Sequence, residues 1–281
     1  MFNYYKKSNF RLRIKEIVIK KNSSPVHNLN LEFLYNLENI RDTQQKDFYI
    51  NQINNLITKE WGKFPEKFIE KHIIASRVII LAWHNNNLIA FTAMSLKNLC
   101  NRLVHYIEFT VVKKEYQGLG LSEKLNFILL KGILINNLIF NKSFSINLMF
   151  ISPNIKTIVS LAKCSSFIYP NPLLYDNKLK SMPEADNLTW NMAQELIRKS
   201  EKPDRKIERE GCVLNGSYRD TPWLIYNLAE NLTIPKHYDN FFNDFAENYL
   251  KYKERSGKEF IIRAKIGFID VIKFLLNRSK K

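Results

Sequence analysis

Residues 106–136 read as an apolar strand, a polar turn with two glycines, and an apolar helix. Tyr106, Ile107, Glu108, Phe109, Thr110, Val111 and Val112 form the strand-like run, Gly118 and Gly120 follow, and the helix opens at Ser122. This order narrows what the chain can build there. Glycine lets the backbone turn sharply and approach a ligand closely. N–H groups at a helix start have no intrahelical acceptor and carry partial positive charge. The natural guest of such a turn is a phosphate or pyrophosphate.

The surrounding chain alternates helical and strand-like patterns. Residues 10–19 alternate cations with Leu12, Ile14, Ile17 and Ile19, as an edge strand does, until Ser23-Ser24-Pro25 breaks the pattern. Residues 29–57 carry Leu and Ile at helical spacing and are expected to form two helices around Arg41-Asp42-Thr43. A shorter helix is expected over 65–74, with Pro65 in its first turn. A hairpin follows, with strands at 77–83 and 88–94 and a turn at His84-Asn85-Asn86-Asn87, where Asn tolerates left-handed backbone. Residues 144–151 read as a strand and 155–164 as a helix starting at Pro153-Asn154. Further on, 190–200 and 238–252 look helical and 212–214 look like a late strand. Residues 260–266 are either a strand or the start of a final helix reaching Leu276.

A Walker loop needs Lys-Ser/Thr after its last glycine, where this chain has Leu121-Ser122, and a dinucleotide fingerprint needs a third glycine. Gln117, Gly120 and Ser122 instead occupy the marked positions of Gln/Arg-x-x-Gly-x-Gly/Ala. The segment resembles the coenzyme A signature of the GNAT superfamily of N-acetyltransferases. Ser122 departs from the usual Gly or Ala, and Lys114 stands where many members carry Pro. The order of elements through residue 168 is also the superfamily's. The resemblance implies an α/β fold (an α+β mixed sheet, twisted, with flanking helices) over residues 25–220. A basic segment, 1–24, precedes it and a basic C-terminal appendage, 221–281, follows. It implies acetyl-CoA or another acyl-CoA as co-substrate, no metal, and a primary amine on a small molecule, peptide or protein as acceptor. A fatty N-acyltransferase and a non-catalytic acyl-CoA-binding or interaction protein are the alternatives. The first rests on the apolar run Phe109, Phe127, Ile128, Leu129, Leu130, Phe144, Leu148, Met149 and Phe150.

Acyl transfer to an amine needs a base, donors for the developing oxyanion, and a proton for the leaving thiolate. Glu108 is a charged residue in an otherwise apolar strand, nine residues before Gln117. Here the resemblance narrows to the spermidine/spermine acetyltransferase type, in which a Glu at this spacing serves as general base, directly or through water. The structural alternative is a Glu held by an internal cation or exposed on a polar face. By the same resemblance, the backbones of Thr110, Val111 and Val112 would hold the pantetheine arm and the thioester oxygen. Gln117, Gly118, Leu119, Gly120, Leu121 and Ser122 would cradle the pyrophosphate. Many relatives place a Tyr acid seven residues past an Asn. Counting from Asn154 gives Leu161, so Ser160, Tyr169, Tyr175 or water remain as donors. Of the histidines, His72, His84 and His105 are possible bases, with His84 and His105 read as solvent residues.

The chain has 281 residues, 45% of them hydrophobic, enough for a real core. It has no run of eighteen apolar residues, and its N-terminus is too charged for a signal-peptide core, so a cytoplasmic protein is expected. Cys100, Cys164 and Cys212 are isolated, which argues against disulfides and metal. The net charge of +16 sits mostly at the ends: seven Lys/Arg against one Glu in 1–21, and ten against three acids in 251–281. Such ends steer anionic partners, yet no nucleic-acid module is recognisable. A helix from Gly267 would align Phe268, Val271, Ile272, Leu275 and Leu276. That stripe is expected to pack on the core or on a second copy of the chain in a homodimer, in preference to an anionic membrane surface.

Overall fold

The computed structural model describes residues 12–21, 24–65, 67–141, 143–200, 203–216, 237, 239–251 and 257–270. They form two compact units, one of residues up to 96 together with 106–142, the other of 97–105 together with 143 onward.

The first unit contains strands β1 (Leu12–Lys21), β2 (Ser24–Tyr35), β3 (Val78–His84) and most of β4 (Asn87–Leu99) and β5 (Arg102–Val112), neighbours in that order. Pairing is antiparallel from β1 through β4. The hairpin turn is Asn85-Asn86, both at positive φ (48° and 62°), the geometry that follows strand twist in a two-residue loop. Helix α1 (Thr43–Trp61) starts where the Asp42 side chain accepts from the Gln45 N–H. Its buried stripe of Tyr49, Ile53, Leu56 and Ile57 has helical spacing. It packs with Ile69 and Ile73 of α2 (Phe68–Ile74) onto Ile79, Leu81, Phe91, Ala93, Phe109 and Val111. Thr92 and Thr110 alternate with those strand residues and meet Asn126 of α3 (Leu121–Asn141) on the opposite face. The unit thus has helices on both faces of its sheet.

One expected helix is a strand. In Asn28-Leu29-Asn30-Leu31-Glu32-Phe33 the polar and apolar residues alternate strictly. Leu29, Leu31 and Phe33 are buried while Asn28 and Asn30 are exposed. Period two wins over the helix tolerance of Leu because it places Leu29, Leu31 and Phe33 on one face, while Leu34 turns to the other and joins the core there.

The second unit is built on β10 (Glu259–Gly267), which pairs antiparallel with β6 (Ser145–Ser152) along its length and with β7 (Phe167–Tyr169) and β9 (Val213–Leu214) at its other edge. The two-residue β8 (Ile207–Glu208) pairs with β9. Helices α4 (Ile155–Ala162), α5 (Asn187–Arg198) and α6 (Asn240–Leu250) complete it. The segment read as an appendage therefore supplies a strand flanked on both sides. Residues 260–264 are all buried, which hides any alternation and explains the strand-or-helix ambiguity. Buried Arg263 donates to Thr189 Oγ1 at 2.8 Å, lies 3.5 Å from Asp186 and stacks over the Phe167 ring. The remaining stripe residues Val271, Ile272, Leu275 and Leu276, and the basic residues 1–11, lie outside the described residues. Among the described residues no helix is long and apolar enough to cross a membrane. The fold class is the mixed α/β one that the element order predicts, largely antiparallel and with flanking helices.

Candidate functional site

At the end of β5 the chain is tied to its own unit by backbone bonds. The Lys113 N–H donates to Ile89 O (2.8 Å) and the Lys114 N–H to Glu60 Oε2 (2.9 Å). A single 3₁₀ turn, Lys114–Tyr116, leads to Gln117, whose side-chain amide folds back to donate to Val112 O at 2.9 Å. Gln117 therefore staples the turn to the strand. Lys113 and Glu115 form an ion pair at 2.6 Å, and the hydrogen bond from Lys113 holds the Glu115 carboxyl below its ordinary range.

Gly118 and Gly120 stand at φ +79° and +69°, a region that side chains with a Cβ enter only at a cost. A Cβ at either position would meet nothing within 4 Å. The glycines are thus required by backbone conformation, and the space beside them is open to a ligand. Gly120 O accepts from the Lys124 N–H at 3.0 Å, which makes Gly120 the cap of α3. Leu121 is buried and Leu119 half-buried, while Gln117, Gly118, Gly120 and Ser122 are exposed. The result is a surface of small residues and main chain at the start of a long helix, the setting that suits a phosphate.

Further back on β5, Glu108 is held from two sides. Ser95 Oγ donates to its Oε1 at 2.5 Å, and His72 Nδ1 lies 2.8 Å from its Oε2. The Glu108 side chain is 3% exposed and the His72 side chain 29%. His72 sits in the last turn of α2, where its carbonyl accepts from Ser76 Oγ at 2.9 Å. Its ring packs against Phe68 (centroids 4.6 Å apart) and edge-on to Phe109 (5.8 Å). Among the described contacts, the partners of Glu108 include a histidine and a serine.

These bonds also locate an irregularity. Thr92 and Thr110 bond hydroxyl to hydroxyl (3.0 Å), so they share a face. Ser95 is three residues past Thr92, whereas Glu108 is two residues before Thr110. A regular ladder cannot bring both pairs together, because each step of one residue changes face. His72 also touches two consecutive residues, Glu108 and Phe109. The register of β4 with β3 is unbroken from Ala90 to Met94, so the extra residue falls after Met94 or beside Glu108. Bulges of this kind re-aim a side chain.

The other candidate β5 residues make side-chain and carbonyl contacts within the unit. Thr110 Oγ1 bonds Asn126 Oδ1 (3.1 Å), Val111 is core, and Val112 O receives Gln117. Asn154 and Ser160 belong to the second unit, where Asn154 Oδ1 caps α4 by accepting from the Lys156 N–H and Ser160 O accepts from Cys164 Sγ. In the same unit, the Tyr169 hydroxyl is occupied by Pro183 O and the Gly211 N–H, and burial raises its pKa. Tyr175 is buried with no bond to its hydroxyl. The expectation that His84 and His105 face solvent does not hold. His84 is half-buried on Tyr116 (2.8 Å), and His105 is buried, which lowers its pKa to about 4. Of the apolar run from Phe109 to Phe150, Phe109, Leu129, Leu130, Leu148, Met149 and Phe150 are core, while Phe144 is exposed. Among the described residues no group of three or more His, Cys, Asp or Glu side chains is placed to hold a metal.

No protein-family model and no curated protein matches this chain. Solved structures that resemble it in part include Naa50 of Arabidopsis thaliana in complex with a bisubstrate analogue, CoA-Ac-MVNAL. That match has 16% identity and a TM-score of 0.33, covering 49% of this chain and 85% of that one. The GNAT family N-acetyltransferase YhbS of Escherichia coli, in complex with CoA, matches at 11% identity and TM-score 0.33, with 47% and 67% covered. The aminoglycoside N-acetyltransferase AAC(6')-Iy in complex with CoA matches at 12% identity and TM-score 0.30, with 39% and 72% covered.

Proposed function

We propose that this chain binds an acyl-CoA, acetyl-CoA by default, and transfers the acyl group to a primary amine. The observation that carries this reading is the pairing, on one strand of one unit, of an open left-handed glycine turn capping α3 with a buried, hydrogen-bonded carboxylate at Glu108. The main chain of Gln117 to Ser122 would take the pyrophosphate. Backbone N–H groups from Thr110 to Val112, just past the irregularity, would face the pantetheine arm and the thioester oxygen. Proton removal from the amine would fall to the hydrogen-bonded Glu108–His72 pair, in which the Glu108 carboxyl is shielded from water. The charge of +16 disfavours a strongly cationic acceptor, so an acidic or peptide-borne amine fits better.

The full chain, acetyl-CoA and a broad amine panel assayed by thiol release test this directly. Amine-dependent thiol release is expected. Glu108→Gln should lower that rate by about 10²–10⁴-fold with little change in coenzyme affinity. A folded protein that releases thiol with no amine in the panel would count against transfer.

A further inference from the structure

We infer that His72 is the group that takes the amine's proton, with Glu108 as its positioning residue. The inference rests on the acyltransfer reading and concerns which atom does the work. Glu108 is poorly placed to touch a substrate. Both of its oxygens already accept hydrogen bonds, Oε1 from Ser95 and Oε2 from His72, and its side chain is 3% exposed. His72 has ten times the side-chain exposure, 29%, and projects from α2.

The tautomer follows from the partner. With Glu108 ionised its carboxylate only accepts, and the Nδ1 that faces Oε2 at 2.8 Å then carries the hydrogen. Nε2 is then left with the lone pair, on the far side of the ring. Phe68 and Phe109 fix the ring plane, and the Ser76 hydroxyl bond to the His72 carbonyl fixes the helix end beneath it. A buried carboxylate that orients an imidazole and stabilises its protonated form is the general arrangement of a base held by a third group. In the step, the amine nitrogen forms its bond to the thioester carbonyl carbon while its proton passes to Nε2. The C–S bond breaks with its electron pair on sulfur. The thiolate is protonated through solvent as the imidazolium gives up the proton, so the products are amide and free thiol.

The test uses His72→Asn, Glu108→Gln and the double variant in the full chain. Asn keeps a side-chain N–H near the Nδ1 position and lacks a basic nitrogen. His72→Asn is expected to lower kcat by about 10²–10⁴-fold while the calorimetric Kd for coenzyme A and the melting temperature stay near wild type. Added imidazole should restore part of the rate in His72→Asn and none in Glu108→Gln. If Glu108 acts only through His72, Glu108→Gln costs nothing further in the His72→Asn background. A full extra loss there, or a wild-type kcat in His72→Asn, overturns the inference and returns the base to Glu108. If wild-type protein binds coenzyme A but turns over no amine, the transfer reading fails, and this role for His72 fails with it.

Discussion

Gly120→Ala separates the conformational role of the glycine turn from a packing role. At φ +69° an alanine costs about 1–2 kcal/mol, partly offset by about 0.4–1 kcal/mol from a less flexible unfolded chain. Its Cβ would meet nothing within 4 Å, so there is no steric addition, and the net loss should be about 1 kcal/mol. Gly211→Ala provides the contrast. It has a similar φ of +75°, but its Cβ would stand 3.0 Å from Tyr249 Cδ1 and 3.1 Å from Val213 Cγ2. Overpacking adds about 1–3 kcal/mol, giving a total of about 2–4 kcal/mol. Urea unfolding of the two variants measures the difference. Calorimetry with coenzyme A then asks what the open space is for. If the main chain there seats a phosphate, the Gly120 methyl should weaken binding about tenfold or more, since one lost charge-assisted hydrogen bond is worth about 1.5–3 kcal/mol. Equal destabilisation by the two alanines would show that the turn is packed and not open. Unchanged coenzyme affinity in Gly120→Ala would remove the turn as the phosphate seat.

Ile53→Ala, at a fully buried position between α1 and the sheet, should destabilise by about 2–5 kcal/mol in urea unfolding. His105 makes stability depend on pH. Its folded pKa of about 4 lies below the ordinary 6.5, so between those values the unfolded chain binds a proton that the buried ring does not. Stability should therefore fall as pH drops from 6.5 towards 4, by up to about 3 kcal/mol, and His105→Asn should flatten that part of the profile. Gly132→Ala, in the middle of α3 with nothing within 4 Å of the added Cβ, should raise the melting temperature, since alanine is favoured over glycine in a helix by about 1 kcal/mol.

The parts of the fold that rest on local chemistry were legible. Asn85-Asn86 announces a tight hairpin, and Gly118 and Gly120 mark a turn before α3. The first expected helix failed because two periodicities competed within 29–35, and the strand pattern had the larger apolar payoff. The site divides in the same way. Glu108 stands out as a charge in an apolar strand, but its partners do not. His72 is 36 residues away and Ser95 is 13, and no spacing rule links a helix end to a strand across such a distance. Glu32 gives a parallel case, buried with Tyr49 and Trp83 as donors from 17 and 51 residues away. Exposure also had to come from three dimensions. A histidine at a strand start looks like a surface residue, yet His105 is buried.

In the proposed function the turn from Gln117 to Ser122 seats the phosphates of an acyl-CoA. Titration calorimetry of the full chain with acetyl-CoA, coenzyme A and dephospho-coenzyme A measures this most directly. The prediction is saturable binding of all three, with Gly120→Arg abolishing it while the variant keeps its cooperative unfolding. No heat from acetyl-CoA or coenzyme A at millimolar concentration with folded protein, or an undiminished affinity in Gly120→Arg, would contradict it.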